Sequence, residues 1–210
     1  MNLLHIDSSI TGAASVSRQI SAQIVETIRH HTEAVAVTRR DLDAAPLDHL
    51  DGRMLAAMAP GSSSDPETRQ KLADGFAALE EFLRADVIVI GAPMYNFAIS
   101  SQLKAWIDRI VIVGKTFRYT EKGPEGLSGG KKVIIASSRG GLYVPGTAQA
   151  AFDFQETYLR AVFQFLGIDD IHFVRAEGVA IGPEQRESAL NAALESVARV
   201  ASPFATSKAA

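Results

Sequence analysis

The order of hydrophobic patterns most restricts how this chain can fold: a short apolar run followed by an amphipathic helical stretch recurs about five times. The clearest run is Asp86-Val87-Ile88-Val89-Ile90-Gly91, almost wholly apolar. A strand wet on one face alternates polar and apolar residues, so an unbroken run belongs to a strand covered on both faces. Four more runs fit strands at 2–7, 34–38, 132–137 and 168–174. Helical periodicity fills the gaps. Ile20, Ile24, Val25 and Ile28 share a face of 17–30, and Leu72, Phe76, Leu79, Phe82 and Leu83 a face of 67–84. Ile99, Leu103, Trp106, Ile107 and Ile110 do so in 99–113, which makes Trp106 a core residue. Residues 148–166 and 184–200 read as two further helices. This alternation predicts an α/β fold, a doubly wound five-stranded parallel sheet with helices on both faces. Periodicity leaves the strand order open between two common arrangements. In both, ligands bind beyond the carboxyl ends of the strands, which directs attention to the loops after the first, third and fourth strands.

Length and composition narrow the reading. With 210 residues, 47% hydrophobic, the chain can build one substantial core but not two, so 1–201 reads as a single domain and 202–210 as a frayed tail. The connection at 39–66 is polar and irregular, with one short helical piece at 53–58; a loop this long usually carries function or a subunit contact. A net charge of -3 with mixed signs offers no basic face for nucleic acid or a membrane surface. His5 and Asp7 argue against a signal peptide or spanning segment, which predicts a cytoplasmic protein. The lack of cysteine removes disulfides, thiolate metal sites and cysteine nucleophiles. The five histidines do not show zinc-helix spacing, so no metal is expected. His5 reads as a satisfied strand residue, and His30 and His31 as helix-end residues favoured by the dipole.

Three loops carry the candidate chemistry. After the first strand, Ser8-Ser9-Ile10-Thr11-Gly12-Ala13-Ala14-Ser15-Val16-Ser17 runs into a helix whose first amides are unpaired, a place where a phosphate fits. Ser15 or Ser17 acting only as an N-cap is the plainer alternative. After the third strand, Met94-Tyr95-Asn96-Phe97 offers apolar faces and a polar edge to a planar ring; the alternative is that Tyr95 and Phe97 cap the core. After the fourth, Ser138-Arg139-Gly140-Gly141 presents successive backbone donors, or else a plain turn. Neither glycine-rich nucleotide fingerprint is present: Gly126-Leu127-Ser128-Gly129-Gly130-Lys131-Lys132 has Glu125 and Lys132 at the positions that matter, and it precedes its strand.

Taken together, Ser8-Ser9 with Ser15-Val16-Ser17, Ala92-Pro93-Met94-Tyr95-Asn96-Phe97, Thr116-Phe117-Arg118-Tyr119-Thr120 with Gly123-Pro124-Glu125-Gly126-Leu127, Ser138-Arg139-Gly140-Gly141 and Ala176-Glu177-Gly178 resemble the FMN-dependent NADH:azo/quinone oxidoreductases, azoreductases of the flavodoxin-like superfamily. The resemblance spans essentially the whole chain. It implies the flavodoxin-like strand order 2-1-3-4-5. It also implies FMN held by Ser9, Ser15, Val16, Ser17, Met94, Tyr95, Asn96, Phe97, Ser138, Arg139, Gly140 and Gly141. NADH or NADPH would be the donor, a quinone or azo compound the acceptor, and the cycle ping-pong, with no catalytic side chain because the flavin carries the redox chemistry. A homodimer with active sites between subunits is implied as well. Phe117, Tyr119 and Tyr143 are expected at the substrate pocket, with part of the aromatic set Phe152, Phe154, Tyr158, Phe163 and Phe165 at the dimer contact. Tyr143, where some relatives have histidine, and Ala59-Pro60, which lacks a cation, depart from the pattern and leave acceptor range and nucleotide preference open. Two other classes remain compatible with the residues: a flavodoxin-like electron carrier without its own acceptor pocket, and an α/β module without flavin.

Overall fold

A parallel sheet with apolar inner strands hides both of its faces by winding crossover helices in two directions from the middle, and this is what the chain does. The computed structural model describes residues 1–201. In chain order it contains β1 (Asn2–Asp7), α1 (Val16–His31), β2 (Ala36–Asp41), α2 (Gly52–Ala57), α3 (Pro66–Arg84), β3 (Val87–Pro93), α4 (Ser101–Ile110), β4 (Phe117–Thr120), β5 (Gly123–Gly126), β6 (Lys132–Arg139), α5 (Phe154–Phe165), β7 (Asp170–Glu177) and α6 (Pro183–Ala201). The main sheet is parallel in the order β2-β1-β3-β6-β7, the expected 2-1-3-4-5 arrangement. Alternate residues feed two cores. Leu4, Ile6, Ile88, Ile90, Val133 and Ile135 face α3, α4 and α5, while Leu3, Val87, Val89, Ile134, Ala136 and Val174 face α1 and α6. Trp106 is buried against the edge of Phe82 as its periodicity requires, and His5 is buried with its Nε2 3.0 Å from Ser21 Oγ. The expected fraying of 202–210 lies outside the described residues.

The differences from the periodicity reading have local causes. β2 occupies Ala36–Asp41 rather than 34–38, extending into polar residues at this exposed sheet edge whose side chains pair with the flanking helices: Arg40 with Glu81 of α3 and Asp41 with Arg18 of α1. The stretch 148–166 is not one helix. A 3-10 turn at Ala150–Phe152 gives way to α5 at Asp153, whose carboxylate accepts from the amides of Gln155 and Glu156. The expected 99–113 helix shortens to α4, with Ser100 capping at its start and Thr116 Oγ1 donating to the Ile110 carbonyl beyond its end. On α3 the buried stripe is Gly75, Ala78, Leu79 and Phe82, whereas Phe76 and Leu83 are exposed. Gly75 sits against Arg109, whose Cδ lies 3.0 Å from where a Cβ would stand, so the helix rests on its glycine and turns Phe76 outward.

The β4–β5 hairpin leaves little periodicity signature, since β4 alternates over only four residues (Phe-Arg-Tyr-Thr) and β5, Gly-Pro-Glu-Gly, does not alternate. It is fixed from outside. Gly126 packs so closely on the turn after α5 that a Cβ would fall 2.1 Å from Gly167 N.

Candidate active site

The carboxyl ends of β1, β3 and β6 lie side by side, and their loops meet through hydrogen bonds. Ser8 anchors the first to the third strand, its amide 3.1 Å and its hydroxyl 2.8 Å from the Gly91 carbonyl. The chain then passes Ser9 and reaches α1, where Ser15 caps the helix by accepting from the Arg18 amide and lies 3.0 Å from Ser17 Oγ. Ser9, Ser15, Val16 and Ser17 are thus gathered and buried at a helix N-terminus, where the first-turn amides have no intrahelical acceptor. The arrangement can hold a phosphate with hydroxyls, amides and the helix dipole.

Behind this loop stands a buried charge cluster that sequence reading missed. Arg18 donates to the Ser9 carbonyl from Nε at 3.2 Å and Nη2 at 2.7 Å, and bonds both carboxylate oxygens of Asp41. Asp7, at the end of β1, accepts from Ser21 at 2.9 Å and Arg39 at 3.1 Å. Burial pushes the Asp7 carboxyl upward, but His5, Ser21 and Arg39 together outweigh it and hold it below the ordinary value. The Arg18 hydrogen bond holds Asp41 at about 2. Gly91 is required beside this cluster, since a Cβ there would stand 2.8 Å from Asp7 Oδ1. An acid ending a strand as apolar as 2–6 was the available signal.

The second loop folds into a tight turn: Tyr95 and Ala98 exchange both backbone hydrogen bonds, at 2.9 and 3.0 Å, around Asn96 (φ 46°) and Phe97 (φ 72°). Two successive positive φ angles define the type I′ turn, where asparagine is at home and phenylalanine is strained. Strain of this kind concentrates at functional sites. The turn leaves Phe97 44% exposed, with its ring 5.3 Å from Phe152 and 6.4 Å from Tyr143. Tyr95 turns back to the first loop, its hydroxyl 3.2 Å from Ser9 Oγ and 3.3 Å from the Ile10 amide. Beside the turn a cavity of about 890 Å³ is lined by Ile10, Tyr95, Asn96, Ile99, Phe154 and Tyr158, among others.

The third loop is joined to the second where the Met94 amide donates to the Ser138 carbonyl at 2.8 Å. The carbonyls of Arg139, Gly140 and Gly141 all accept from the amides of Val179, Ala180 and Gly178. A peptide plane holds N–H opposite C=O, so the amides of Gly140 and Gly141 point away from that anchor. The Arg139 side chain turns inward. It is 1% exposed, with Nη1 2.9 Å from Glu177 and Nη2 3.0 Å from Asp153, and it also meets Glu156. Glu177 also accepts from the Tyr143 amide, and Glu156 pairs with Arg175, raising the Arg175 guanidinium above its usual value.

The three residues expected at a substrate pocket are not brought together within one chain. Tyr143 stands beside Phe97. Phe117 is buried under Phe165, ring centroids 4.7 Å apart, with Tyr119 exposed beside it. Both hairpin rings line a separate apolar groove of about 330 Å³ with Leu50, Leu55, Met58 and Phe76. Of the helical aromatics, Phe163 belongs to the core, whereas Phe152 and Phe154 are exposed.

A family model described as flavodoxin-like fold matches residues 1–200. An FMN-dependent NADH:quinone oxidoreductase of Methylocella silvestris is 56% identical over 201 residues, covering 95% of this chain and 98% of that one. One from a Bradyrhizobium species is 55% identical, covering 96% and 100%. Among solved structures, an FMN-dependent NADH-azoreductase from Bacillus anthracis str. Ames Ancestor, in complex with FMN, superposes with a TM-score of 0.89 at 27% identity, covering 98% and 99%. With strand order, loop placement and sequence in agreement over nearly its full length, this chain belongs to the FMN-dependent NADH:quinone oxidoreductase and azoreductase family of flavodoxin-like fold.

Proposed function

We propose that the chain is a cytoplasmic FMN-dependent oxidoreductase that uses NADH to reduce quinones and also cleaves azo compounds, donor and acceptor occupying one site in turn. The observation that carries this reading is the convergence of three dissimilar loops on one crevice: a helix N-terminus with clustered hydroxyls, a strained turn displaying Phe97, and the outward amides of Gly140 and Gly141. These match the three parts of FMN: an anionic phosphate, a flat ring system, and a ring edge that gathers negative charge on reduction. Ser9, Ser15, Val16 and Ser17 would hold the phosphate. Met94, Tyr95, Asn96 and Phe97 would flank the ring, with Ser138, Gly140, Gly141 and the Arg139 backbone at its edge. When bound, FMN supplies the two-electron chemistry between nicotinamide nucleotide and acceptor.

The chain itself binds and orients. Phe97, Phe152 and Tyr143 offer flat apolar surface to both donor and acceptor and displace water from it. The groove formed by Leu50, Leu55, Met58, Phe76 and Tyr119 is apolar and exposed, which supports a homodimer in which the Phe117–Tyr119 hairpin serves the partner's site.

Adding FMN to the purified chain should give a flavin spectrum, and the loaded protein should oxidise NADH with a soluble quinone or an azo dye. A protein still colourless after FMN addition defeats the reading. One that is yellow but inert to both NADH and NADPH is an electron carrier instead. Sedimentation as a monomer with full activity at high dilution would remove the dimer.

A further inference from the structure

The crevice contains an arginine next to the phosphate position proposed above, yet that arginine is not free to pair with phosphate. Arg18 commits Nε and Nη2 to the Ser9 carbonyl, and Nη1 and Nη2 to the carboxylate of Asp41. Asp7 stands 3.6 Å from its Nη1, and the side chain is only 12% exposed. The nearby formal charges cancel, Arg18 and Arg39 against Asp7 and Asp41. The guanidinium thus acts as a rigid two-sided bracket. One edge takes a carbonyl of the first loop and the other the end of β2, while its own backbone lies in the first turn of α1, with its amide on Ser15 Oγ. Ser9 and the Ser15–Ser17 turn are the two halves of the hydroxyl cluster. Ser15 and Ser17 follow Ser9 by six and eight residues, and the Arg18 side chain ties the two halves together.

We infer that Arg18 is the positioning residue of the phosphate cradle: locked by Asp41, it fixes Ser9 against the N-terminus of α1 and so makes the site select a phosphorylated flavin over riboflavin. The assignment rests on the flavin reading above. It differs from a direct phosphate contact, for which a lysine would serve. A lysine ammonium is a point charge and cannot fork between a carbonyl and a bidentate carboxylate.

The test uses the full chain freed of flavin, titrated by fluorescence quenching with FMN and separately with riboflavin, for the wild type, Arg18→Lys, Arg18→Gln and Asp41→Asn. The wild type should prefer FMN. Each variant should weaken FMN by about tenfold to a hundredfold, the range set by losing a charge-assisted hydrogen bond in the bracket, while riboflavin changes by less than about twofold. Unchanged riboflavin binding also reports that the variant is folded. Inorganic phosphate should compete with FMN in the wild type and lose that ability in the variants. Equal weakening of both flavins, or full retention of the FMN preference in Arg18→Lys, overturns the assignment. A wild type that binds neither flavin overturns the flavin reading, and this assignment with it, and is told apart by the unmutated control.

Discussion

Two buried charge clusters stand behind two of the crevice loops, and they are built differently. Behind the first loop, Arg18 faces Asp41 and Asp7 near the sheet edge and gives two of its five N–H donors to a backbone carbonyl. Behind the third, Arg139 lies almost wholly buried among Asp153, Glu156 and Glu177, an excess of carboxylates relieved only by the partly exposed Arg175. The first cluster is balanced and shapes a loop. The second places one buried guanidinium against three carboxylates, with Arg175 sharing Glu156 from the outer side, so removing its arginine leaves buried carboxylate without its partner. Arginines behind two loops of one crevice therefore serve different purposes, one fixing local geometry and the other partnering a group of carboxylates.

The contrast predicts its largest effect at Arg139. Arg139→Met should cost about 3–5 kcal/mol in denaturant unfolding, because it leaves Asp153, Glu156 and Glu177 without the buried guanidinium they share. Arg18→Met should cost clearly less, and equal losses would break the distinction. Gly91→Ala probes the first cluster from β3. With a Cβ 2.8 Å from Asp7 Oδ1 and 3.1 Å from Ser21 Oγ, it should destabilise by about 1–3 kcal/mol, read as a lowered urea midpoint at unchanged slope.

The pH dependence sharpens the same comparison. Asp41 is lowered from 3.8 to about 2 in the folded chain, chiefly by Arg18. Because the folded value is the lower one, its stabilisation is complete above about pH 4 and is lost as pH falls through about 2. The stability difference between wild type and Asp41→Asn should therefore be about 1–2 kcal/mol at pH 6 and shrink toward zero near pH 2. A difference that stays constant over that window would show that the Asp41 charge is not what matters. The smallest effect is expected for Tyr95→Phe, which removes the hydroxyl between Ser9 and the Ile10 amide and should cost about 0.5–1.5 kcal/mol. A loss as large as that of Gly91→Ala would mean that the tie between the first two loops outranks the cluster behind them.

Most of the architecture was legible because burial on both faces writes itself into sequence. Strands β1, β3 and β6 and helices α1, α3 and α6 follow the apolar runs and periodicities closely. The exceptions mark where burial is not the organising force. β2 extends into polar residues paired with the flanking helices, α5 is cut by the Asp153 cap, the β4–β5 hairpin is held by the contact of Gly126 with Gly167, and Phe76 is turned outward by Gly75 on Arg109. In the candidate site, the sequence pointed to Ser9, Ser15–Ser17, Met94–Phe97 and Ser138–Gly141, and the fold gathers these at adjoining strand ends. It could not reveal that Arg139 turns inward, or that Arg18, Asp41 and Glu177 support the loops, since none of these pairings is local.

What the sequence determined by itself is the layering: which segments are strands or helices, which residues fill the two cores, and which loops face the crevice. These follow from period and apolarity, properties of a residue and its near neighbours. What only the tertiary structure decided is the use of each charge and the aim of each loop. A guanidinium takes its role from whichever carboxylates and carbonyls the fold brings within about 3 Å. Those partners lie 9 and 23 residues away for Arg18 and up to 38 for Arg139, distances over which sequence carries no periodic signal.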